Sequence, residues 1–295
     1  MVRLAITLGD PRGIGPEIVA KALGSAESAD IEAVIVGPTG AGTPVHEVVG
    51  AWSPGADGRE AGRLAGLAVE RAVALAQAGE VQGIVTAPLD KAALLAGGYD
   101  YPGHTEMLAD LTGSRVAMML ASDRLRVVLV TTHIPLRDVP SRVTGALVES
   151  TAAITRAYLQ RWFGVEKPRL ALCALNPHAG DGGRFGTEDD AILAPAARRA
   201  GMAGPFPADT VFVRAMRGEF DAVIAPYHDV GMTAIKVASF GTAVNVTLGL
   251  PFPRTSPDHG TAMDIAGKGT ADASSMRRAI MVCAEIAARC AGESR

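Results

Sequence analysis

Three histidines in this sequence stand where an apolar segment ends and turn-forming residues begin. His133 follows VVLVTT and precedes IPLRD, His178 follows LALCALNP and precedes AGDGG, and His228 stands in IAPYHDVG. His104 and His259 lie beside glycine, in PGHTE and DHGTA. Ligands of open α/β sheets bind outside the carboxyl ends of the strands. The sequence therefore predicts that these histidines lie in a functional site.

Three imidazoles at strand ends could bind a divalent metal. With His133, His178 and His228 as ligands, one coordination position stays open, as in catalytic zinc sites. A single histidine in such a setting is more often a structural residue, but the repeated setting favours a metal. Imidazole ligands favour zinc or cobalt over magnesium. His46, in TPVHEVVG, lacks this setting.

A group of polar side chains in the C-terminal third could bind phosphate. Lys236, Asn245 and Arg254 recur nine residues apart. Arginine offers phosphate a planar fork, lysine a point charge and asparagine a neutral donor. A lone lysine or arginine usually lies on a solvated surface, but these stand among apolar residues and glycines. We therefore expect them to contact a phosphorylated ligand.

Two glycine-rich segments could hold a dinucleotide. GDPRGIGPE (9–17) could present backbone amides at a helix N-terminus, although its composition is also typical of a plain strand-to-helix connection. DHGTAMDIAGKG (258–269) could place Asp264 against ribose hydroxyls and His259 against a base, or could simply begin a capped helix. The sequence contains no GxGxxG, Walker A, GxSxG or HExxH motif. Their absence argues against a conventional Rossmann dinucleotide site and against the commonest phosphotransferases, hydrolases and metalloproteases.

The elements that must position these residues alternate between strand and helix patterns, which is typical of a wound, largely parallel α/β sheet. The loosest stretch, 37–60, is interpreted as a surface insertion. Predicted strands are 2–8, 32–37, 82–87, 116–121, 125–132, 169–175, 221–225 and 242–248. Predicted helices are 14–24, 60–79, 88–96, 104–112, 142–163, 187–201, 208–217 and 272–291.

Composition narrows the classes of protein that the chain could be. With 295 residues and 48% hydrophobic content it can bury a large core, and its net charge of −3 argues against a nucleic-acid partner. No apolar run reaches the length of a membrane span, and the N-terminus lacks signal-peptide features, so we expect a cytoplasmic protein without a membrane partner. Cys173, Cys283 and Cys290 lack metal-binding or redox spacing and are expected to be packing residues.

Eight motifs, spread in order over nearly the whole chain, carry a family resemblance. They are GDPRGIGPEI, GHTE, TTHIPLRD, NPHAGDGGRFGTED, PADT, YHDVG, VNVTLGLPFPRTS and DHGTAMDIAGKG. Together they resemble the PdxA family of 4-hydroxythreonine-4-phosphate dehydrogenases, which acts in vitamin B6 biosynthesis. The first and last motifs are also similar to those of isocitrate and isopropylmalate dehydrogenases.

The resemblance implies an isocitrate/isopropylmalate dehydrogenase-like α/β fold, in which two interlocked α/β/α subdomains share a mixed, largely parallel sheet. It implies a cofactor subdomain of approximately 1–120 with 240–295. It implies a metal and dimer subdomain of approximately 121–239. The protein is then expected to be a homodimer with its active site at the subunit interface.

The resemblance also implies roles for individual residues. His133 and His178 are implied as metal ligands from one subunit, with His228 from the other. Lys236, Asp229 and Asp209 are implied as catalytic residues. The implied substrate-binding residues are His104, Thr105, Lys236, Asn245 and Arg254. The implied cofactor-binding residues are Gly13, His259, Gly260, Thr261, Ala262 and Asp264.

The implied reaction is oxidation of 4-phosphooxy-L-threonine by NAD or NADP, followed by decarboxylation, with zinc, cobalt or magnesium as the metal. Two features depart from the family pattern. Val230 stands where the family usually has glutamine, and the region 37–60 is shorter than expected. Relatives that act on threonate or erythronate 4-phosphate, or on an aromatic cis-dihydrodiol, are alternatives. The aromatic branch lacks the GHTE element, so its presence here argues against that branch.

Overall fold

The computed structural model of the chain describes residues 1–25, 30–239 and 241–293. The chain forms two compact units, of which one comprises Met1–Arg115 with Val244–Arg295 and the other comprises Val116–Ala243. None of the described helices is both long and apolar enough to cross a membrane.

The first unit contains a mixed sheet in the order β3-β2-β1-β4-β11-β10. All neighbouring strands in it are parallel except β10 and β11, which are antiparallel. Its strands are β1 (Val2–Thr7), β2 (Ile31–Thr39), β3 (Glu47–Ala51), β4 (Gly83–Thr86), β10 (Val244–Leu248) and β11 (Arg254–Pro257). Its helices are α1 (Gly15–Leu23), α2 (Gly58–Gln77), α3 (Lys91–Ala96), α4 (His104–Thr112) and α10 (Ser274–Glu293).

The second unit contains a sheet in the order β5-β6-β9-β7-β8, parallel except for the β5–β6 pair. Its strands are β5 (Ala117–Ala121), β6 (Arg126–Leu129), β7 (Leu170–Cys173), β8 (Ala203–Phe206) and β9 (Ala222–Ala225). Its helices are α5 (Val139–Arg142), α6 (Gly145–Phe163), α7 (Ala194–Arg199), α8 (Ala208–Met216) and α9 (His228–Ala238). A π-helical turn, Asp189–Leu193, leads into α7.

Local sequence signals explain where the long helices begin. Asp57 caps α2 by accepting a 3.0 Å hydrogen bond from the amide of Glu60, and Thr144 caps α6 by accepting one of 3.2 Å from Leu147. Such caps satisfy backbone donors that have no partner inside the helix. The alternation of strands and helices confirms the predicted α/β class with largely parallel sheets.

All eight predicted strands are present, but three strands (β3, β8 and β11) and two helices (α5 and α9) were missed. The region 37–60 is not simply an insertion, because Glu47–Ala51 adds an edge strand to β2. His46 supports this edge, since its Nδ1 accepts a 3.0 Å hydrogen bond from the amide of Ile35. The short strands Ala203–Phe206 and Arg254–Pro257 contain or adjoin proline. They were not predicted because proline in an apolar run argues against a strand.

No helix was predicted between residues 217 and 272, so helix α9 was missed. The segment HDVGMTAIKVA forms a helix of 11 residues, and Lys236 lies on it. Gly231 permits this helix to pack on β6, because a Cβ at that position would lie 2.7 Å from the side chain of Leu129. Gly231 is thus required for helix packing, although a glycine in a sequence commonly indicates a turn.

Candidate active site

The topology of the second unit brings the three predicted metal ligands to one edge of its sheet. Strand β9 lies between β6 and β7 and is parallel to both, with Leu129 opposite Ala225 and Leu172 opposite Ile224. The segments carrying His133, His178 and His228 leave the carboxyl ends of β6, β7 and β9 respectively. This is the sheet edge at which ligands of α/β proteins bind.

His133 and His228 lie side by side in one chain, with ring centroids 5.5 Å apart. His228 is the first residue of α9, and its Nδ1 lies 2.7 Å from Oδ1 of Asp229. With the proton on Nδ1, His228 donates a hydrogen bond to Asp229, and the lone pair of Nε2 is free to bind a metal. Carboxylate partners of this kind commonly orient metal-binding histidines.

His178 lies on a turn whose backbone is strained. His178, Ala179 and Asp181 have φ values of 53°, 55° and 45°, in the left-handed region that favours glycine. Each such residue costs roughly 1–3 kcal/mol and persists only where the surrounding structure enforces it. Strain of this kind is concentrated at functional sites, and here it presents an exposed imidazole.

Asp189 holds the segment that precedes this turn and was missed by the sequence prediction. Its side chain is fully buried and accepts hydrogen bonds from the amides of Leu175 and Asn176, at 2.8 and 3.0 Å, and from Nδ2 of Asn176 at 3.0 Å. The signal available in the sequence was the acidic run GTEDD after a glycine-rich loop. Nothing in that run distinguishes a buried carboxylate from a solvated one.

The three residues implied as catalytic are all exposed in the second unit. Asp209, in the first turn of α8, lines a 330 Å³ cleft together with His178. It also lines a 580 Å³ cleft together with Asp229 and Val230. Lys236 lies two turns along α9 from His228. The clefts therefore place Asp209 and Asp229 beside the histidine-bearing segments.

Arg254 is a buried cation in the first unit. It is 1% exposed, and its guanidinium donates to the hydroxyls of Thr247, at 2.9 Å, and of Thr86, at 2.5 Å. Its Nε is buried without a hydrogen-bond partner among the described residues. Burial lowers the pKa of Arg254 to about 10, although Cys283 and Glu106 oppose this shift. A buried guanidinium whose hydrogen bonds go to neutral hydroxyls is suited to receive an anion.

Two other substrate-binding candidates in this unit also have polar atoms without partners. Nε2 of His104 and Oδ1 of Asn245 are buried and lack hydrogen-bond partners within the described part of the chain. His104 and Thr105 open helix α4, where backbone amides favour anions. Unsatisfied buried polar atoms are uncommon in folded proteins and call for a bound partner such as a polar ligand.

Burial lowers the pKa of His104 well below its usual value, and the charges of Arg254 and Lys91 lower it further. His104 is therefore neutral in the folded protein at neutral pH, whereas in the unfolded chain it takes up a proton below about pH 6.5. The contribution to stability is full above that pH and is lost progressively as the pH falls. We expect acidification from pH 7.5 to 5 to lower the melting temperature less in His104→Gln than in wild type. Equal losses in both proteins would show that His104 is not held neutral.

The two predicted cofactor segments pack together in the first unit. The amide of Ile14 donates to the carbonyl of Thr261 at 2.9 Å, and a Cβ on Gly13 would lie 2.8 Å from the same oxygen. Ala262 has a φ of 41°, so the segment turns here and does not begin a helix. A cleft of 520 Å³ is lined by residues from both segments, including Gly13 and Gly267.

The side chains of Lys21 and Glu17, on α1, hold the end of the predicted cofactor segment 258–269 by hydrogen bonds. Nζ of Lys21 donates to Oε1 of Glu17 and to the carbonyls of Gly269 and Ala271, at 2.7, 2.8 and 2.8 Å. Of the other cofactor candidates, Gly260 and Asp264 are exposed, and Nε2 of His259 is buried without a partner among the residues described. Nε2 of His259 is therefore available to a polar ligand.

The residues of the second unit fit a divalent metal by donor type. Two neighbouring imidazoles and a third on a strained turn are ligands that zinc and cobalt accept. Over residues 1–25, 30–239 and 241–293, however, no group of three His, Cys, Asp or Glu side chains is close enough within one chain to hold an ion. Within the described residues, the neighbouring imidazoles of His133 and His228 are therefore a pair of candidate ligands without a third one close by.

Comparison with known proteins assigns the family. The family described as "Pyridoxal phosphate biosynthetic protein PdxA" matches residues 14–283. The chain is 43% identical to 4-hydroxythreonine-4-phosphate dehydrogenase of Geobacter metallireducens, over 97% of this chain and 95% of the relative. It is also 43% identical to D-threonate 4-phosphate dehydrogenase of Salmonella typhimurium, over 96% and 98% of the two chains.

Solved structures agree with this assignment. The crystal structure of 4-hydroxythreonine-4-phosphate dehydrogenase from Klebsiella pneumoniae has a TM-score of 0.86 and 39% identity, covering 97% of this chain and 98% of that one. An isocitrate dehydrogenase from Methylococcus capsulatus, at 16% identity and a TM-score of 0.51, shows likeness of fold alone over 96% of this chain and 85% of that one. The predicted fold class is thereby confirmed. The chain belongs to the PdxA family and is an oxidoreductase.

Proposed function

We propose that the protein oxidises and decarboxylates 4-phosphooxy-L-threonine to 3-amino-2-oxopropyl phosphate, with NAD or NADP and a divalent metal, in pyridoxal phosphate biosynthesis. The observation that carries this proposal is the buried guanidinium of Arg254, whose Nε has no partner within the described residues. Such a cation is stabilised by a substrate phosphate. The names of the relatives support the same substrate class.

The first unit binds the phosphate end of the substrate in this proposal. Arg254 supplies the charge, and Nε2 of neutral His104 can donate to a phosphate oxygen, whereas Oδ1 of Asn245 can accept from a substrate hydroxyl or amino group; both atoms lack partners among the described residues. Thr105 adds a hydroxyl in the first turn of α4. A planar guanidinium fork matches the geometry of phosphate oxygens and can bind them bidentately. Lys236 of the second unit is proposed as a further substrate-binding residue.

The second unit supplies the imidazoles and proton-transfer groups. His133, His178 and His228 would hold the divalent metal, which when bound would polarise the C3 oxygen of the substrate and the carbonyl formed from it. Asp229 orients His228 through Nδ1. Lys236 and Asp209 are the proposed groups that remove and return protons, since a lysine and a carboxylate can both exchange them. The bound nicotinamide would accept the hydride.

The alternative function is oxidation of D-threonate 4-phosphate. The two substrates differ at C2, where one carries an amino group and the other a hydroxyl, so the phosphate residues do not distinguish them. Initial rates of NADH formation with both compounds, compared as kcat/KM, decide between them. The proposal requires 4-phosphooxy-L-threonine to give the higher value, and a higher value for D-threonate 4-phosphate would replace it. An aromatic cis-dihydrodiol lacks a phosphate and would leave Arg254 without the phosphate partner that this proposal gives it.

We also propose that two copies of the chain form a homodimer in which the partner completes the metal site. Support comes from the single chain, which among its described residues holds no cluster of three metal ligands. The resemblance assigns His133 and His178 to one subunit and His228 to the other, whereas within one chain the rings of His133 and His228 are neighbours, with centroids 5.5 Å apart. These two assignments make different predictions for mixed dimers.

Mixing pairs of inactive variants tests the shared site. If His133 and His228 come from different chains, subunit exchange between His133→Ala and His228→Ala should restore roughly a quarter of the sites. Half of the dimers are then hybrids, and each hybrid has one site without a defect. Recovery is expected in this mixture and in His178→Ala with His228→Ala, but not in His133→Ala with His178→Ala.

The mixture that regains no activity identifies the two ligands that come from the same chain. If only the mixture of His133→Ala and His228→Ala regains no activity, those two residues belong to one subunit, as their proximity suggests. If none of the three mixtures regains activity, with exchange verified by mass spectrometry, a shared site is contradicted.

A further inference from the structure

We infer that Asp189 is a positioning residue that holds the turn carrying His178 in a metal-binding conformation. The inference rests on the proposed role of His178 as a metal ligand. It concerns a residue that is fully buried and is not itself one of the proposed metal ligands.

The turn needs such an anchor because its backbone is unfavourable. His178, Ala179 and Asp181 all adopt left-handed φ values although none is glycine. Left to its own preferences, this stretch would move to other conformations and carry the imidazole away. The position of His178 must therefore be enforced by contacts outside these three residues.

Asp189 makes contacts of the required kind immediately before the turn. One carboxylate oxygen accepts from the amide of Leu175, at 2.8 Å, and the other accepts from the amide and Nδ2 of Asn176, both at 3.0 Å. Nδ2 of Asn176 also donates to Oε2 of Glu188 at 2.8 Å. The segment that follows β7 is thus joined by four hydrogen bonds to the residues at the start of the π-helical turn.

Close glycine packing makes the anchor rigid. A Cβ on Gly186 would lie 2.6 Å from Nδ2 of Asn176, and one on Gly180 would lie 2.9 Å from the carbonyl of Gly186. The loop is therefore packed too closely to admit a side chain at either glycine. Burying a charged carboxylate costs free energy unless it is hydrogen-bonded. The folded state is therefore stable only while Asp189 keeps its three donors.

The test compares Asp189→Asn with Asp190→Asn, its exposed neighbour on the same turn. Zinc affinity is measured by competition with a chromogenic chelator, without substrate or cofactor. An outer residue that orients a metal ligand typically changes affinity by about 10- to 100-fold when it is replaced. We expect Asp189→Asn to lose affinity in that range, and Asp190→Asn to match wild type.

Two further variants separate positioning from general stability. Val211→Ala removes a buried contact of α8 in the same unit and should lower the melting temperature without changing zinc affinity. Asn176→Ala, at a half-buried position, removes the side-chain donor but leaves both backbone donors to Asp189. It should fold and lose affinity by a smaller factor, so the inference stays testable if Asp189→Asn does not fold.

The outcomes distinguish this inference from the proposed function. If His178→Ala lowers zinc affinity but neither Asp189→Asn nor Asn176→Ala does so in folded protein, Asp189 is only a core residue and the inference is wrong. If His178→Ala itself leaves zinc affinity unchanged, the proposed metal site fails first.

Discussion

Replacing His178 or His228 with alanine is expected to remove most of the bound metal and to lower turnover by two or more orders of magnitude. A divalent ion contributes several kcal/mol of charge stabilisation in reactions of this kind, so losing one of three imidazoles should have a large effect. Both side chains are partly or fully solvent-accessible, and the fold should remain intact. Metal content by atomic emission, kcat and the melting temperature measure the three effects separately.

His46 provides the matched control for these variants. Its ring accepts a hydrogen bond from the amide of Ile35 at the edge of the first unit, and it has no proposed role in catalysis. His46→Ala should lower stability while metal content and turnover per folded molecule stay at wild-type values. Full metal content and a wild-type rate in His178→Ala or His228→Ala would show that the metal assignment is wrong.

Changes at Arg254 are expected to weaken binding of the phosphorylated substrate strongly. A charge-assisted hydrogen bond contributes about 1.5–3 kcal/mol, equivalent to a loss of about 10- to 150-fold in affinity. Arg254→Lys keeps a charge but loses the fork that also reaches Thr247 and Thr86, so it should weaken binding, and Arg254→Ala should weaken it more. Substrate affinity by calorimetry, alongside the melting temperature, separates binding from the cost of altering a buried residue.

A dephosphorylated substrate is the control for this effect. Wild type should process it poorly, and substitutions at Arg254 should then make little further difference. Arg63→Ala removes an exposed arginine paired with Glu60 in the same unit, and it should leave the turnover of both substrates unchanged. Equal turnover of the phosphorylated and dephosphorylated compounds by wild type would contradict a phosphate site and favour the dihydrodiol function.

The sequence predicted the parts of the fold that local patterns encode. The buried strands read as apolar runs between turn signals, and histidines at their ends could be recognised as candidates without structural knowledge. Helix α9 could not be recognised, because Gly231 is required there by packing against Leu129, a residue distant in sequence. Strand β11 was missed because it is short and bounded by prolines on both sides.

The environment of the site residues could not be predicted in the same way. Arg254 was expected from its residue type, but its burial and its hydroxyl partners depend on strands β4 and β10, which are far apart in sequence. Asp189 was missed because its role consists of hydrogen bonds to backbone amides. The proximity of His133 and His228 follows from the pairing of β6 with β9, which no single segment encodes.

The most direct test of the proposed metal-dependent oxidation of a phosphorylated hydroxy acid is NADH formation from 4-phosphooxy-L-threonine by chelator-treated protein before and after zinc or cobalt is restored. The proposal predicts negligible NADH formation without metal, recovery when the metal is returned, and no recovery in His178→Ala under the same conditions. A metal-free protein that forms NADH at the wild-type rate would contradict it.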